Sequence, residues 1–265
     1  IKKKVVINDF GFLIGPILNA AGRLKDPNIV VNLLTDTNIN KKDSIINNLI
    51  SLNKKRKEIE NISMKEIDLN SIELKTDNVL VEYEKNLNEG LIGIIASKLK
   101  DYFNKPSVVL TKSKDIYKAS ARSTSNFNIG KYIKKAIENN IILNGGGHNL
   151  AAGFTIKKEK ITQFKKYINE VFNKKNSNIK RRYISKISFS AINNNFLKEI
   201  RLLSPFGEHN SNPLFLIEKV KIIRPKIINH KYVSFYVKSK YGKMIQGISF
   251  GYLHSKINEH LINNK

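Results

Sequence analysis

The chain has 265 residues, 41% of them apolar, and carries 47 Lys and Arg against 22 Asp and Glu, a formal net charge of +25. That length suits one large domain or two small ones, and the absence of cysteine excludes disulfides, thiolate metal sites and cysteine nucleophiles and fits a reducing, cytoplasmic compartment. No apolar run reaches the roughly 20 residues that span a bilayer, no secretory signal follows the basic start, and the charge points to a polyanionic partner, although a Lys-, Asn- and Ile-rich composition also places charge on solvated faces.

Residues 1–40 hold Gly11, Gly15, Pro16, Gly22 and Pro27 and read as turns around short elements. From about Asn40 to Asp68, Ile45, Leu49, Leu52, Ile59 and Ile62 recur at helical spacing without Gly or Pro. This predicts a long amphipathic helix of the kind that bridges two domains. The chain then alternates. Strands are predicted at Val79–Tyr83, Ser107–Thr111, Tyr117–Ala121 and Ala151–Ile156, and helices at Gly90–Phe103, Ile129–Asn139 and Glu159–Phe172. Such alternation is the mark of an α/β domain. Residues 174–186 form a basic linker with no acid. Beyond it lie β-rich stretches at Tyr183–Ser190, Leu214–Ile223, Tyr232–Lys238 and Met244–Phe250, with Gly242 at the last turn, which suggest a small barrel of the oligonucleotide-binding type. The fold class is therefore an α/β domain at 71–175, preceded by a connector with a long helix at 1–70 and followed by a small β-barrel at 176–265.

Three motifs carry candidate chemistry. In Gly145-Gly146-Gly147-His148, consecutive glycines bare a stretch of backbone, so that a phosphate can approach its N–H groups, and His148 can donate to a phosphate oxygen. The same glycines also suit an ordinary turn. In Ser120-Ala121-Arg122-Ser123, a strand-end guanidinium flanked by two hydroxyls can meet a phosphate from three directions. An exposed Arg paired with a local carboxylate is the plainer reading. In Gly15–Leu24, small residues allow close packing and Asn19 and Arg23 offer polar contacts, in what reads alone as a tight turn leading into a helix. The histidines His148, His209, His230, His254 and His260 are scattered, so no residue is assigned to a metal. No Lys-Ser/Thr follows the glycines, so they are not a Walker-type loop. In the barrel, Phe206, Phe215, Tyr232, Phe235 and Tyr236 are candidate base-stacking residues, about half of them turned inward by the strand period.

These motifs, in this order, resemble the RecJ family of single-strand-specific 5′→3′ DNA exonucleases in the DHH phosphoesterase superfamily. The resemblance rests on GPILNAAGRL (15–24), the Leu52–Arg56 stretch of the long helix, EGLIGIIASKL (89–99), SARS (120–123), GGGHNLAAGF (145–154) and LLSPFGEHNSNPLF (202–215). It implies that 71–175 is a DHH-associated substrate-binding domain and that 176–265 is a barrel that binds nucleic acid. His148 and Arg122 are then catalytic-site residues. Ser120, Ser123, Gly145, Gly146 and Gly147 bind the substrate phosphate with Asn19 and Arg23. Manganese or magnesium is held by a DHH domain that would lie before Ile1, rather than by this chain, which alone would be inactive. The implied partner is single-stranded DNA, with a single-strand-binding protein or helicase as candidate protein partners, in a cytoplasmic monomer engaged in DNA repair and recombination. Two positions depart from the family: Asn88 stands where His is usual, and His209 where Gly is usual. A stand-alone binding module with a separate catalytic subunit is the alternative. A dinucleotide phosphodiesterase and a relative of the alanyl-tRNA synthetase editing domain are more remote.

Overall fold

The computed structural model describes residues 5–36, 39–84, 87–173, 183–207, 209–229, 232–250 and 256–263. They group into two compact units, Ile1–Asn178 and Ile179–Lys265.

The first unit opens with α1 (Ile7–Asp9), a π-helical turn over Phe10–Ile14, α2 (Gly15–Leu24) and α3 (Asn28–Thr35). The described part of residues 1–40 is thus mostly helical, not the turns expected. Pro16 sits in the first turn of α2, directly after the π-helical turn, and does not break the helix. The long helix α4 (Ile39–Glu66) has 28 residues, and its 3.6-residue spacing shows in which of them are buried. Leu49 and Leu52 pack with Ala20 and Ala21 of α2, whereas Met64 packs with the next cluster along the chain. Between them, on the same face, lie the buried polar residues Asn53, Arg56 and Ser63. The interface is apolar at both ends and polar in the middle.

There follow α5 (Leu69–Glu73), β1 (Leu80–Glu84), α6 (Ile92–Phe103), β2 (Ser107–Ser113), β3 (Ile116–Arg122), α7 (Ile129–Glu138), β4 (Asn144–His148), β5 (Ala151–Ile156) and α8 (Ile161–Asn173). The strands form one sheet in the order β1-β2-β3-β5-β4, with β1 and β2 parallel and the other pairs antiparallel. One face is fully covered: Val108, Leu110, Ala119, Ala121, Ala152, Phe154 and Ile156 pack with Ile129, Ile133, Phe164 and Ile168 of α7 and α8. The other face is covered over β2 and part of β3 by α6. This helix buries Ile92, Ile95, Ala96 and Leu99, an i, i+3, i+4, i+7 stripe, against Leu80 and Val109. It ends where Asn104 takes a left-handed conformation, φ +51°, ahead of Pro106. The glycine run expected as a loop is instead the edge strand β4.

The second unit contains β6 (Ser185–Lys186) paired in parallel with β7 (Phe215–Leu216), α9 (Asn194–Leu202), the antiparallel meander β8 (Lys221–Ile228), β9 (Tyr232–Lys238), β10 (Met244–Ser249), and α10 (Lys256–Asn263). Gly242 forms the β9–β10 turn at φ +85°. Among the described residues these strands make a three-stranded sheet and a two-stranded pair. The stretch 183–190 contributes only two strand residues. Asn193 caps α9, an element the strand-based reading did not anticipate, by accepting from the Phe196 N–H. His260 lies on α10 rather than in a polar tail. His230, His254 and residues 174–182 of the basic linker lie outside the described residues.

Candidate nucleic-acid interface

The register of the first sheet brings the separated motifs together. Arg122 on β3 pairs with Ala151 on β5, and Ala151 pairs with His148 on β4. One step along, Ser120 pairs with Gly153, and Gly153 with Gly146. Residues opposite one another in an antiparallel ladder project from the same face. All six therefore share one face, and it is the face that α6 covers only in part. The boundary of α6 falls at Gly93, where a Cβ would lie 2.8 Å from Arg122 Nη2 and 3.1 Å from Ser120 Oγ. Beyond that boundary, Ala151, Gly153 and Gly146 form a floor that bears at most a methyl group. Ser120 and Arg122 wall it on one side. His148 stands on the far strand, about 10 Å away at two strand spacings.

The three consecutive glycines divide by face. A Cβ at Gly147 would lie 2.3 Å from Ala151 O and 2.5 Å from Ala152 Cα, and one at Gly145 would lie 2.5 Å from Phe154 Cβ and 2.7 Å from Gly153 O. These two glycines let β4 approach β5. A Cβ at Gly146 would meet nothing within 4 Å. Of the three, Gly146 lies on the floor with its space unclaimed by protein, whereas the Cβ positions of Gly145 and Gly147 fall on the packed side of β4.

The polar walls are unneutralised. Arg122 Nη1 donates to Ser120 Oγ at 3.0 Å and to Ala121 O at 2.8 Å. Burial lowers the Arg122 pKa, and the nearby Arg23 guanidinium lowers it further. Arg23 is lowered in the same way, first by burial and then by Arg56, with Glu60 acting in the opposite sense. Among the described residues no carboxylate ion-pairs with either Arg23 or Arg122. Glu60 is held by Arg56 Nη1 at 2.6 Å and by Lys98 Nζ at 2.7 Å. Two half-buried guanidiniums near enough to repel, with Glu60 ion-paired to Arg56 and Lys98, form a site that an anion stabilises.

The turn before α6 sets Arg23 in place. Its Nη1 donates to Gly90 O at 2.9 Å, and the Gly90 N–H donates to Asn88 Oδ1 at 2.8 Å. A Cβ at Gly90 would lie 2.2 Å from Arg23 O, so the turn and α2 are in close contact there. Asn88 thus acts through an acceptor oxygen, which an amide supplies without titrating. Asn19 is exposed, one helical turn before Arg23 on the same face of α2. His148 is exposed, and its Nδ1 accepts the Leu150 N–H at 3.4 Å, which leaves Nε2–H to donate. Ser123 does not join the floor. It is buried, and its hydroxyl donates to Phe127 O at 2.6 Å, supporting the turn into α7. Sequence reasoning missed Gly93, Arg56, Glu60 and Lys98. A glycine inside an otherwise apolar helical stripe was the one available signal.

In the second unit, β9 sorts the candidate aromatics. Tyr236 is exposed on a face shared with Lys238, Gln246 and Met244. Phe235 packs its ring over Gly247 on the opposite face, where a Cβ would come within 2.5 Å of it. Tyr232 pairs with Phe250, and Phe215 with Phe196. His209 takes φ +64°, the left-handed region that favours glycine. Asn210 Nδ2 ties the same turn to Leu203 O and Pro205 O.

Among the described residues no group of three or more His, Cys, Asp or Glu could hold a metal ion. Nor, among the described residues, is any helix long and apolar enough to cross a membrane.

Comparison with known proteins gives the same division. Residues 76–174 match the DHHA1 domain family, and residues 185–264 match the RecJ OB domain family. The chain is 33% identical over 171 residues to the single-stranded-DNA-specific exonuclease RecJ of Haemophilus influenzae, covering 62% of this chain and 30% of that protein. It is 26% identical over 265 residues to the RecJ exonuclease of Salmonella typhimurium, covering 94% and 45%. The crystal structure of RecJ with Mn2+ from Thermus thermophilus shares the fold, with a TM-score of 0.74 at 20% identity over 92% of this chain and 36% of that one. The chain thus spans less than half the length of these relatives.

Proposed function

Because this chain carries the DHHA1 and OB domains of the RecJ-type family and corresponds to its C-terminal part, we propose that it is the substrate-binding portion of a 5′→3′ single-stranded-DNA exonuclease acting in DNA repair and recombination. A phosphodiester settles on the floor of Ala151, Gly153 and Gly146. Arg122 and Ser120 hold it from β3, Arg23 adds a second guanidinium with Asn19 beside it, and His148 donates from β4. Arg122 and His148 orient the phosphate for hydrolysis. A DHH domain outside residues 1–265 would hold Mn2+ or Mg2+, which would supply the activation of the attacking water, and this chain alone does not cleave. Tyr236 is the foremost stacking candidate in the OB domain, where exposed lysines flank it. The enzyme acts in the cytoplasm as a monomer, with single-strand-binding protein or a helicase as candidate partners.

The observation that carries this reading is the Arg23–Arg122 pair, which no carboxylate among the described residues ion-pairs, beside a floor that bears at most a methyl group. The test is fluorescence anisotropy on a labelled single strand across a salt series. The wild-type chain binds with log Kd rising linearly in log salt. Arg122→Ala weakens binding roughly 10- to 100-fold, as expected for a charge-assisted contact worth about 1.5–3 kcal/mol. Unchanged affinity in Arg122→Ala overturns the clamp.

A further inference from the structure

The floor lies on one side of β4. On the other side, β4 and α7 enclose a groove of about 590 Å³ whose lining includes Asn128, Lys131, Lys134 and Glu138 together with the backbone of 145–149. The helix is seated directly on the strand: a Cβ at Gly130 would lie 2.7 Å from His148 O and 2.9 Å from Gly147 C. The Asn128 side chain donates to the Asn149 side chain, which pins the β4–β5 turn to the start of α7. Because α7 buries Ile129, Tyr132, Ile133 and Ala136 in the sheet, Lys131 and Lys134 are left one turn apart at the groove. Among the described residues neither lysine ion-pairs with a carboxylate. Both face an edge strand whose central three residues have no side chain.

We propose that this groove is a second phosphate-backbone site, into which a single strand held on the floor continues around the edge of β4. The inference rests on the reading of the floor as a single-strand site. Gly146 and His148 border both surfaces, so the path from one to the other crosses bare backbone. Lys131 and Lys134 take consecutive phosphates, and Asn128 and Asn149 offer amide donors. Ile137 is the one large apolar residue in the lining, so the groove has little to bury the side chains of a peptide. Glu138, one turn beyond Lys134, ends the basic stretch and sets the limit of the track.

The test compares a short oligothymidylate of about 4 nucleotides, enough to fill the floor, with a long one of about 15. The binding partner is the whole chain carrying Lys131→Glu with Lys134→Glu. A charge-matched control carries Lys54→Glu with Lys55→Glu on the exposed face of α4. The groove variant keeps wild-type affinity for the short strand. For the long strand it loses about 10-fold or more, and the salt slope falls by about 1.4, the value for two phosphate contacts on a single strand. The control moves neither. Equal losses on both lengths, or an equal loss in the control, overturn the groove and leave the floor standing. Unchanged long-strand affinity with lost binding of a polyglutamate peptide overturns the nucleic-acid occupant. Failure of the wild-type chain to bind either oligonucleotide overturns the floor reading and this inference with it.

Discussion

Gly146→Ala and Gly147→Ala differ by one methyl group at adjacent positions, yet they should fail in different assays. At Gly147 the new Cβ would sit 2.3 Å from a carbonyl oxygen and 2.5 Å from Ala152 Cα, both backbone contacts of the neighbouring strand. Backbone cannot rotate away, so β4 must shift from β5. Forced overpacking of this kind costs about 1–3 kcal/mol. Against this, Ala reduces the entropy that Gly loses in a strand, a gain of about 0.5–1 kcal/mol. A net loss of about 1–2 kcal/mol lowers the melting temperature of a domain this size by roughly 2–8 °C. At Gly146 the Cβ meets nothing, so only the entropic gain remains and the melting temperature holds or rises slightly. The methyl group instead stands where the phosphate lies, and the loss of one close charge-assisted contact weakens single-strand binding about 10-fold or more. Circular dichroism melts and anisotropy titrations on the two variants separate these effects. If Gly146→Ala melts as early as Gly147→Ala, or binds DNA as the wild type does, the division of the glycine run by face is wrong.

Glu60→Gln removes the carboxylate shared by Arg56 and Lys98 and leaves a mostly buried guanidinium unpaired. A loss of about 3 kcal/mol, at the low end for a broken buried pair, is expected in chemical denaturation. His209→Gly relieves the left-handed conformation at φ +64° and should stabilise the second unit by about 0.5–1 kcal/mol after the entropic cost of glycine, read by the same assay. Tyr236 is 37% exposed, so Tyr236→Ala costs a modest amount of stability, and it costs about 1–3 kcal/mol of single-strand affinity if a base stacks there.

The sheet of the first unit was largely legible because its strands and helices bury apolar side chains at their own periods. Tyr117, Ala119 and Ala121 alternate along β3, β2 is a continuous buried run, and Ile92, Ile95, Ala96 and Leu99 follow a helical stripe. β4 was not legible as a strand, since a run of glycines has no side chains to show a period, and its strand character comes from pairing with β5. α2 was read as a turn because Gly and Pro usually punctuate, whereas Pro16 stands in the first turn of that helix. The components of the floor were visible as Ser120, Arg122 and His148. Their common face follows from a cross-strand register that local sequence does not display. The meeting of Arg23 with Arg122 is also invisible locally, since it depends on how α2 and α6 pack. Ser123 looked equivalent to Ser120, yet it falls after the last residue of β3 and turns its hydroxyl into the protein.

The central claim is that the Ser120–Arg122–Gly146–His148 face holds a phosphate. A crystal structure of the chain with a short 5′-phosphorylated single strand tests it most directly. The account predicts a phosphate over Gly146, with its oxygens about 2.7–3.2 Å from Arg122 and Ser120 and within donor range of His148. An oligonucleotide bound only on the second unit, with no phosphate on that floor, would contradict it.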